Sequence, residues 1–313
     1  MLTRREALLG AVATGLFAKA SQPITRVNFD VPANACDCHT HIFGDPQKFP
    51  FWEGRSYTPE PATPEEMSAL HRALGITRVV IVNPSVYGTD NSATVYGINA
   101  RGKTARGVAV IDEKTADRDL DAMGKAGICG IRLNLQTAGL TDPGVGRQRF
   151  QAAVRRVKDR GWHIQINTGL GVVTGIKDLV LESPAPVVFD HFANARAGLG
   201  IEQPGFSDLV QLVRSGKAYV KLSAAYHGSR YPDFSEVTAI AKALIAANPD
   251  RMLWGTNWPH PNTPLPAGRK PTDVTPFREI DDGLMLNLLA AWAPDPSVRK
   301  KILVDNPARL YKF

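Results

Sequence analysis

The sequence predicts one α/β domain, a (β/α)8 (TIM) barrel, and three observations predict it. Eight apolar, strand-like runs recur, at 35–42, 77–83, 106–112, 129–135, 162–168, 186–191, 218–224 and 251–257. Amphipathic patterns such as PEEMSALHRALG, RQRFQAAVRRVKDRG and FSEVTAIAKALIAANP lie between them, several closing on Gly or Asn-Pro as helix ends do. This alternation calls for parallel pairing through helical crossovers, and eight such units in 313 residues match the closed barrel. A doubly wound open sheet would carry a glycine-rich turn after its first strand, and none stands there.

Residues 1–20, MLTRREALLGAVATGLFAKA, precede that rhythm. Arg4 and Arg5, an apolar stretch from Ala7 to Phe17 and a closing Ala18-Lys19-Ala20 read as a twin-arginine export signal, which predicts a periplasmic protein. The stretch is too short to span a bilayer, and no later segment approaches that length, so no membrane insertion is expected. From residue 21 to 313 no low-complexity linker interrupts the chain, which therefore reads as one domain. An aromatic loop (43–62, with Phe49, Phe51, Trp52 and Tyr57) follows the first strand, and a Pro- and Gly-rich loop (259–283) follows the last. Both would wall the C-terminal face of the barrel, where enzymes of this fold carry their chemistry.

The formal net charge is +7, of which the signal contributes a net +2 (Arg4, Arg5 and Lys19 against Glu6). No dense basic run and no basic-aromatic interleaving exists, which excludes a nucleic-acid partner. The remaining positive field favours a small anionic substrate. Three cysteines cannot form a complete disulfide framework, and Cys36 and Cys38 lie too close along an extended strand to bridge each other. Free thiols, in a monomer or small homo-oligomer, are expected.

Alternation along the first strand would place Asp37, His39 and His41 on one face, with Cys36, Cys38 and Thr40 on the other. In that arrangement Asp37 holds a ring nitrogen and fixes a histidine tautomer. VVFDH puts His191 at the end of the sixth strand, so three of the seven histidines fall at strand ends on one barrel face. Trp254 and Trp258 are expected as packing and pocket wall, and GTDN (88–91) as a helix cap.

DCHTHIFGD, GTDNSAT, GIRLN, VVFDH and WGTNWPHPN together resemble the amidohydrolase superfamily. The likeness is to its lactone-processing branch of sulfomuconolactone hydrolases, 2-pyrone-4,6-dicarboxylate hydrolases and galactarolactone isomerases, and it runs from about Ala33 to Phe313. The resemblance implies a small anionic lactone as substrate, best matched by 4-sulfomuconolactone, and a centre at the strand ends. It implies catalytic roles for His39, His41 and His191, and places Asn257 where the hydrolases carry an aspartate base. It implies substrate contacts from Arg132, Tyr57 and Ser85. Two departures, Ala138 for a second arginine and Asn167 for a tyrosine, argue against a pyrone dicarboxylate; Arg230 is expected to supply the missing cation.

An amide cannot take a proton from water, so Asn257 leaves several routes open. One Zn2+ on His39, His41 and His191 could acidify the attacking water. A histidine could act as base without metal. Lactone isomerisation by proton transfer, or an exported binding protein without catalysis, are the other readings. With no bridging Lys or Glu on the fourth strand and His163 too deep on the fifth, a binuclear centre is not expected.

Overall fold

The computed structural model describes residues 22–264 and 267–313; the export signal read at 1–20 lies outside them. All eight expected strands are present: β1 Cys36–Thr40, β2 Arg78–Val82, β3 Ala105–Ala109, β4 Ile128–Asn134, β5 His163–Asn167, β6 Val187–Phe189, β7 Ala218–Ser223 and β8 Met252–Gly255. They pair in chain order, each parallel to the next. The ring closes just beyond β8, where Asn257 N donates to His39 O (2.8 Å) and His41 N donates to Trp258 O (2.8 Å). Closure thus passes through three of the candidate site residues, His39, His41 and Asn257. No helix among the described residues is long and apolar enough to cross a membrane.

The helices form where the sequence signals them. Pro64–Leu74 starts on a reciprocal capping box between Thr63 and Glu66 and stops at Gly75 in a left-handed conformation (φ 73°). Its apolar stripe, Met67, Leu70 and Leu74, is buried against the outside of the barrel. The last residues of the chain seal the opposite, N-terminal end. Leu310 and Tyr311 pack inside with Cys36, Cys38, Val80 and Leu253, while Arg78 and Arg106 lie over the Phe313 ring at 5.2 and 4.8 Å. His163 belongs to this seal: its Nδ1 donates to Cys129 O (3.0 Å) and its ring meets Tyr311 edge-on. It thus lies at the N-terminal end of the barrel, as its place at the start of the strand predicts.

One expectation about β1 is corrected. The β1–β2 register shifts between Asp37 and Thr40, a bulge that breaks strict alternation. Cys38 and His39 both reach the barrel interior, whereas Asp37 turns toward the helices. There it faces His71 Nε2 (3.2 Å) and accepts from Thr256 Oγ1 (2.6 Å) and Thr256 N (3.1 Å). Asp37 therefore ties β1 to the end of β8 and does not orient a site histidine. Gly255 makes room for the bulge, since a Cβ there would lie 2.8 Å from His39 Cβ. The three cysteines are free, and Cys36 and Cys38 are buried.

Candidate active site

The lower barrel interior is apolar, but its next layer up is charged. Asp190, one residue beyond β6, is the hub: Oδ2 accepts from Arg132 Nε (3.0 Å) and Gln165 Nε2 (3.0 Å), and Oδ1 faces His39 Nδ1 (3.2 Å) and Lys221 Nζ (3.5 Å). Lys221 is fully buried and donates to Gln165 Oε1 at 2.6 Å. Burial alone would raise the Asp190 pKa, yet the His39 ring facing it and the charges of Lys221 and Arg132 outweigh it and hold the carboxyl well below its usual range. Burial pushes the Lys221 pKa down, and Asp190 opposes that shift. Asp190 and Lys221 thus make each other tolerable inside the barrel.

Above this layer stand the histidines. His41 Nδ1 donates to Val82 O (2.7 Å); a carbonyl only accepts, so the proton is on Nδ1 and the Nε2 lone pair is available. His39 presents Nδ1 to Asp190, and its buried Nε2 has no protein hydrogen-bond partner. His191 contacts Ser223 Oγ through Nδ1 (2.9 Å). The His39 ring centroid lies 5.0 Å from that of His41 and 4.5 Å from that of His191. Burial lowers the pKa of all three, His41 to about 3, so each is a neutral imidazole at pH 7. His163 at the barrel seal is likewise lowered by burial to about 3.

These two values carry a sign. The unfolded chain protonates His41 and His163 near pH 6.5 while the folded chain does not, so the unfolded state binds more protons between about pH 6.5 and 3. Stability is full above that window and falls as pH drops through it, by up to about 1.4 kcal/mol per pH unit for each histidine. Urea midpoints measured from pH 7.5 to 4.5 should decline; a flat profile would contradict neutral burial of both rings.

His191 is placed by an unusual backbone. His191, Phe192, Ala193 and Asn194 all have positive φ, between 51 and 55°, forming a left-handed turn without glycine. Each such residue costs about 1–2 kcal/mol. The turn brings His191 and Asn194 to the same cavity, a conformational cost found where a site requires the geometry.

That cavity, about 430 Å3, opens at the C-terminal end of the barrel. His41, His191, Asn257 and Arg132 line it, joined by Tyr57, Ser85 and Asn167, with His39 behind them. Tyr57 hydrogen-bonds Ser85, and burial pushes its hydroxyl up to about 12, so it remains a neutral donor. Asn167 spends its amide on Thr137 Oγ1 (3.1 Å) and accepts from Asn194 Nδ2 (3.1 Å). Asn257, in a left-handed conformation (φ 66°) that asparagine adopts readily, donates from Nδ2 to Tyr226 Oη (2.7 Å). The two long loops meet above, Thr58–Pro59 pairing with Val274–Thr275, and contribute Ser56, Pro261 and Thr263 to the wall.

Two expectations are corrected and one is refined. Arg230 does not reach the cavity: its side chain is 75% exposed and folds back onto Glu236 (2.8 Å), a nearer carboxylate on the same loop. The cation on that side is Arg278, from the end of the loop after β8, which lines the cavity and lies over the Tyr226 ring. Trp254 and Trp258 are buried core residues and do not line the cavity. As for metal ligands, the residues whose ligand atoms lie within 4.8 Å of one another are His39, Asp190 and His191, so Asp190 takes the place expected of His41. This group could hold a metal ion: the buried His39 Nε2, with no protein hydrogen-bond partner, is a lone pair that a cation would satisfy.

Sequence reasoning also missed Lys221, Tyr226, His227, His260 and Asp282. Lys221 carried a usable signal, a charge in the middle of the apolar run AYVKLSA. Asp190 carried a similar signal, a carboxylate closing the apolar run VVFDH next to His191.

Neutral imidazoles, a buried carboxylate and guanidinium groups meet at the C-terminal mouth of a parallel barrel sealed at its other end. That combination makes the chain a barrel enzyme. It belongs to the amidohydrolase family, whose family model (Amidohydrolase) matches residues 36–313. The chain is 33% identical to the 4-sulfomuconolactone hydrolase of Hydrogenophaga intermedia over 293 residues, covering 92% of each. It is 31% identical to a 2-pyrone-4,6-dicarboxylate hydrolase of Comamonas testosteroni (94% of each). It is also 28% identical to the D-galactarolactone isomerase of Agrobacterium fabrum, over 92% of this chain and 94% of that one. A solved apo structure from Agrobacterium tumefaciens superposes with a TM-score of 0.77 at 26% identity, covering 92% of this chain and 98% of that one.

Proposed function

We propose that this protein is a lactonase that opens a small dianionic lactone, of the 4-sulfomuconolactone type, by attack of water on the ring ester carbonyl. One observation carries the reading. Neutral imidazoles (His41, His191) face the same cavity as two guanidinium groups (Arg132, Arg278), so proton acceptors and anion clamps address one ligand. The hydrolase relatives support it. Arg132 is anchored through Nε to Asp190, leaving its terminal nitrogens for a carboxylate. Arg278 serves the second acidic group, a sulfonate in the preferred substrate.

In the reaction, an imidazole Nε2, with His191 as the assigned base, takes a proton as water oxygen bonds to the carbonyl carbon. The acyl–oxygen bond of the ring then breaks, and the imidazolium returns that proton to the departing ring oxygen. His39, Asp190 and His191 are the residues that would hold a divalent ion, and with His191 Nε2 taken up as a ligand the role of base would pass to His41 Nε2. Because Lys221 and Arg132 already flank Asp190, the ion would rest chiefly on imidazole nitrogens, which suits zinc better than magnesium. When bound, such an ion supplies an acidified water and a Lewis acid. Export through the twin-arginine signal to the periplasm is part of the same proposal, supported by Arg4, Arg5 and the short apolar stretch behind them.

Proton release on adding 4-sulfomuconolactone, followed by pH-stat with metal content measured in parallel, tests the reading; no release from this or related dianionic lactones would end it. The arginines offer a sharper comparison. R278A is expected to raise KM about 10- to 100-fold, the loss of one charged clamp worth roughly 1.5–3 kcal/mol. R230A is expected to leave KM within twofold, since that side chain is exposed and engaged elsewhere. Equal effects of the two would contradict the placement of Arg278.

A further inference from the structure

Behind Asn257 runs a buried chain of hydrogen-bonding groups that the proposed reaction does not use directly. Tyr226 Oη lies 2.7 Å from Asn257 Nδ2 and 3.4 Å from His260 Nδ1. His260 Nε2 lies 3.0 Å from Asp282 Oδ2, and both of those side chains are fully buried. Asp282 opens the helix Asp282–Trp292, so the last link is fixed to a regular element.

The direction of these bonds follows from the chemistry of the groups. The Asp282 carboxylate only accepts, so His260 Nε2 carries the hydrogen, and Nδ1, facing the Tyr226 hydroxyl, is assigned as the acceptor. The Tyr226 hydroxyl donates to that Nδ1, and its oxygen then accepts from Asn257 Nδ2. With Nδ2 so engaged, Asn257 Oδ1 is turned away from the relay. This oxygen is buried and has no protein partner, and Asn257 lines the cavity. An amide has two chemically different ends, and the relay selects which one the cavity meets.

Resting on the lactonase reading above, we propose that Tyr226, His260 and Asp282 form a polarity relay that holds Asn257 as a hydrogen-bond acceptor for the attacking water. Asn257 then accepts one water hydrogen at Oδ1, a histidine Nε2 takes the other as a proton, and the water lone pair points at the ester carbonyl. One of the two Nδ2 hydrogens is spent on Tyr226, which draws the nitrogen end of the amide toward the relay. The position thus retains the acceptor oxygen that an aspartate would offer, without the negative charge. Tyr226, His260 and Asp282 are positioning residues in this scheme.

A carboxylate presents an oxygen whichever way it turns, so N257D makes the relay unnecessary. Y226F is expected to lower kcat by about 10²-fold in the wild-type background, the cost of a misdirected reactant. In the N257D background the same change is expected to cost less than threefold. H260F, which leaves the Tyr226 hydroxyl free to donate to Asn257 instead, should show the same background dependence, with KM altered less than kcat. Equal losses in both backgrounds would overturn the proposal and assign Tyr226 to direct substrate contact or packing.

A second readout needs no substrate. In protein carrying 15N-labelled asparagine, the Asn257 side-chain amide is identified by its disappearance in N257D. One of its protons should be shifted downfield and protected from exchange, and should lose both properties in Y226F. An Asn257 amide unaffected by Y226F would overturn the relay. A responsive amide in a protein that opens no lactone would leave the relay standing and refute the lactonase reading instead.

Discussion

His191→Ala is expected to lower kcat by about 10³-fold, within the range for loss of a general base. The ring is buried at the cavity, held through Nδ1 by Ser223 and carried on a left-handed turn. Burial depresses its pKa, so it is unprotonated at neutral pH and free to accept a proton. Neither His41 nor His227 replaces it. His41 is fixed by Val82 on the opposite strand, and His227 meets the His191 ring edge-on at 5.3 Å. Steady-state kinetics with the substrate that turns over in the wild type would check this. A variant within tenfold of wild type would remove His191 from the chemistry and leave His41 as the base.

Asp190→Asn is expected to cost roughly 3–5 kcal/mol of stability, the cost of leaving buried charge uncompensated. Lys221 would lose its only acidic partner among the described residues, and Arg132 its anchor. The carboxyl is held far below its usual pKa in the folded chain, so its stabilisation is complete above about pH 4 and lost only as pH falls through the depressed value. The destabilisation should therefore be undiminished at pH 5. A K221M background should reduce the cost, because one of the stranded cations is then absent. An identical cost in both backgrounds would mean that Asp190 and Lys221 are not coupled.

The barrel was legible because its signals are local and repeated. Apolar runs of strand length, capping residues such as Thr63 and Glu66, and stop signals such as Gly75 each act within one element. The histidines were legible for a related reason: each stands at the end of an apolar run, where a strand empties into the mouth. Asp37 was misread because a bulge in β1 is set by its pairing with β2, and no residue in CDCHT announces it. Arg230 lies near β7 in sequence, but Glu236 captures its side chain, and the cation that lines the cavity is Arg278. The charged layer of Asp190, Lys221, Gln165 and Arg132 comes from four different strands or strand ends, and the relay behind Asn257 joins residues 31 and 22 positions apart. Such groupings exist only once the chain is folded.

The replacement of an expected aspartate by Asn257 therefore carries less weight against hydrolysis than its chemistry first suggests. Its backbone sits where asparagine is comfortable, and its amide is oriented to offer an oxygen. What it withholds is basicity, and His41 and His191, neutral imidazoles facing the same cavity, are placed to provide that.

Proton NMR of 4-sulfomuconolactone incubated with the protein in heavy water, with and without chelator, tests the central claim most directly. The account predicts a ring-opened acid, formed without deuterium entering a surviving lactone; loss of that product with chelator would assign water activation to a metal. A rearranged lactone carrying solvent deuterium would contradict it and make the protein an isomerase.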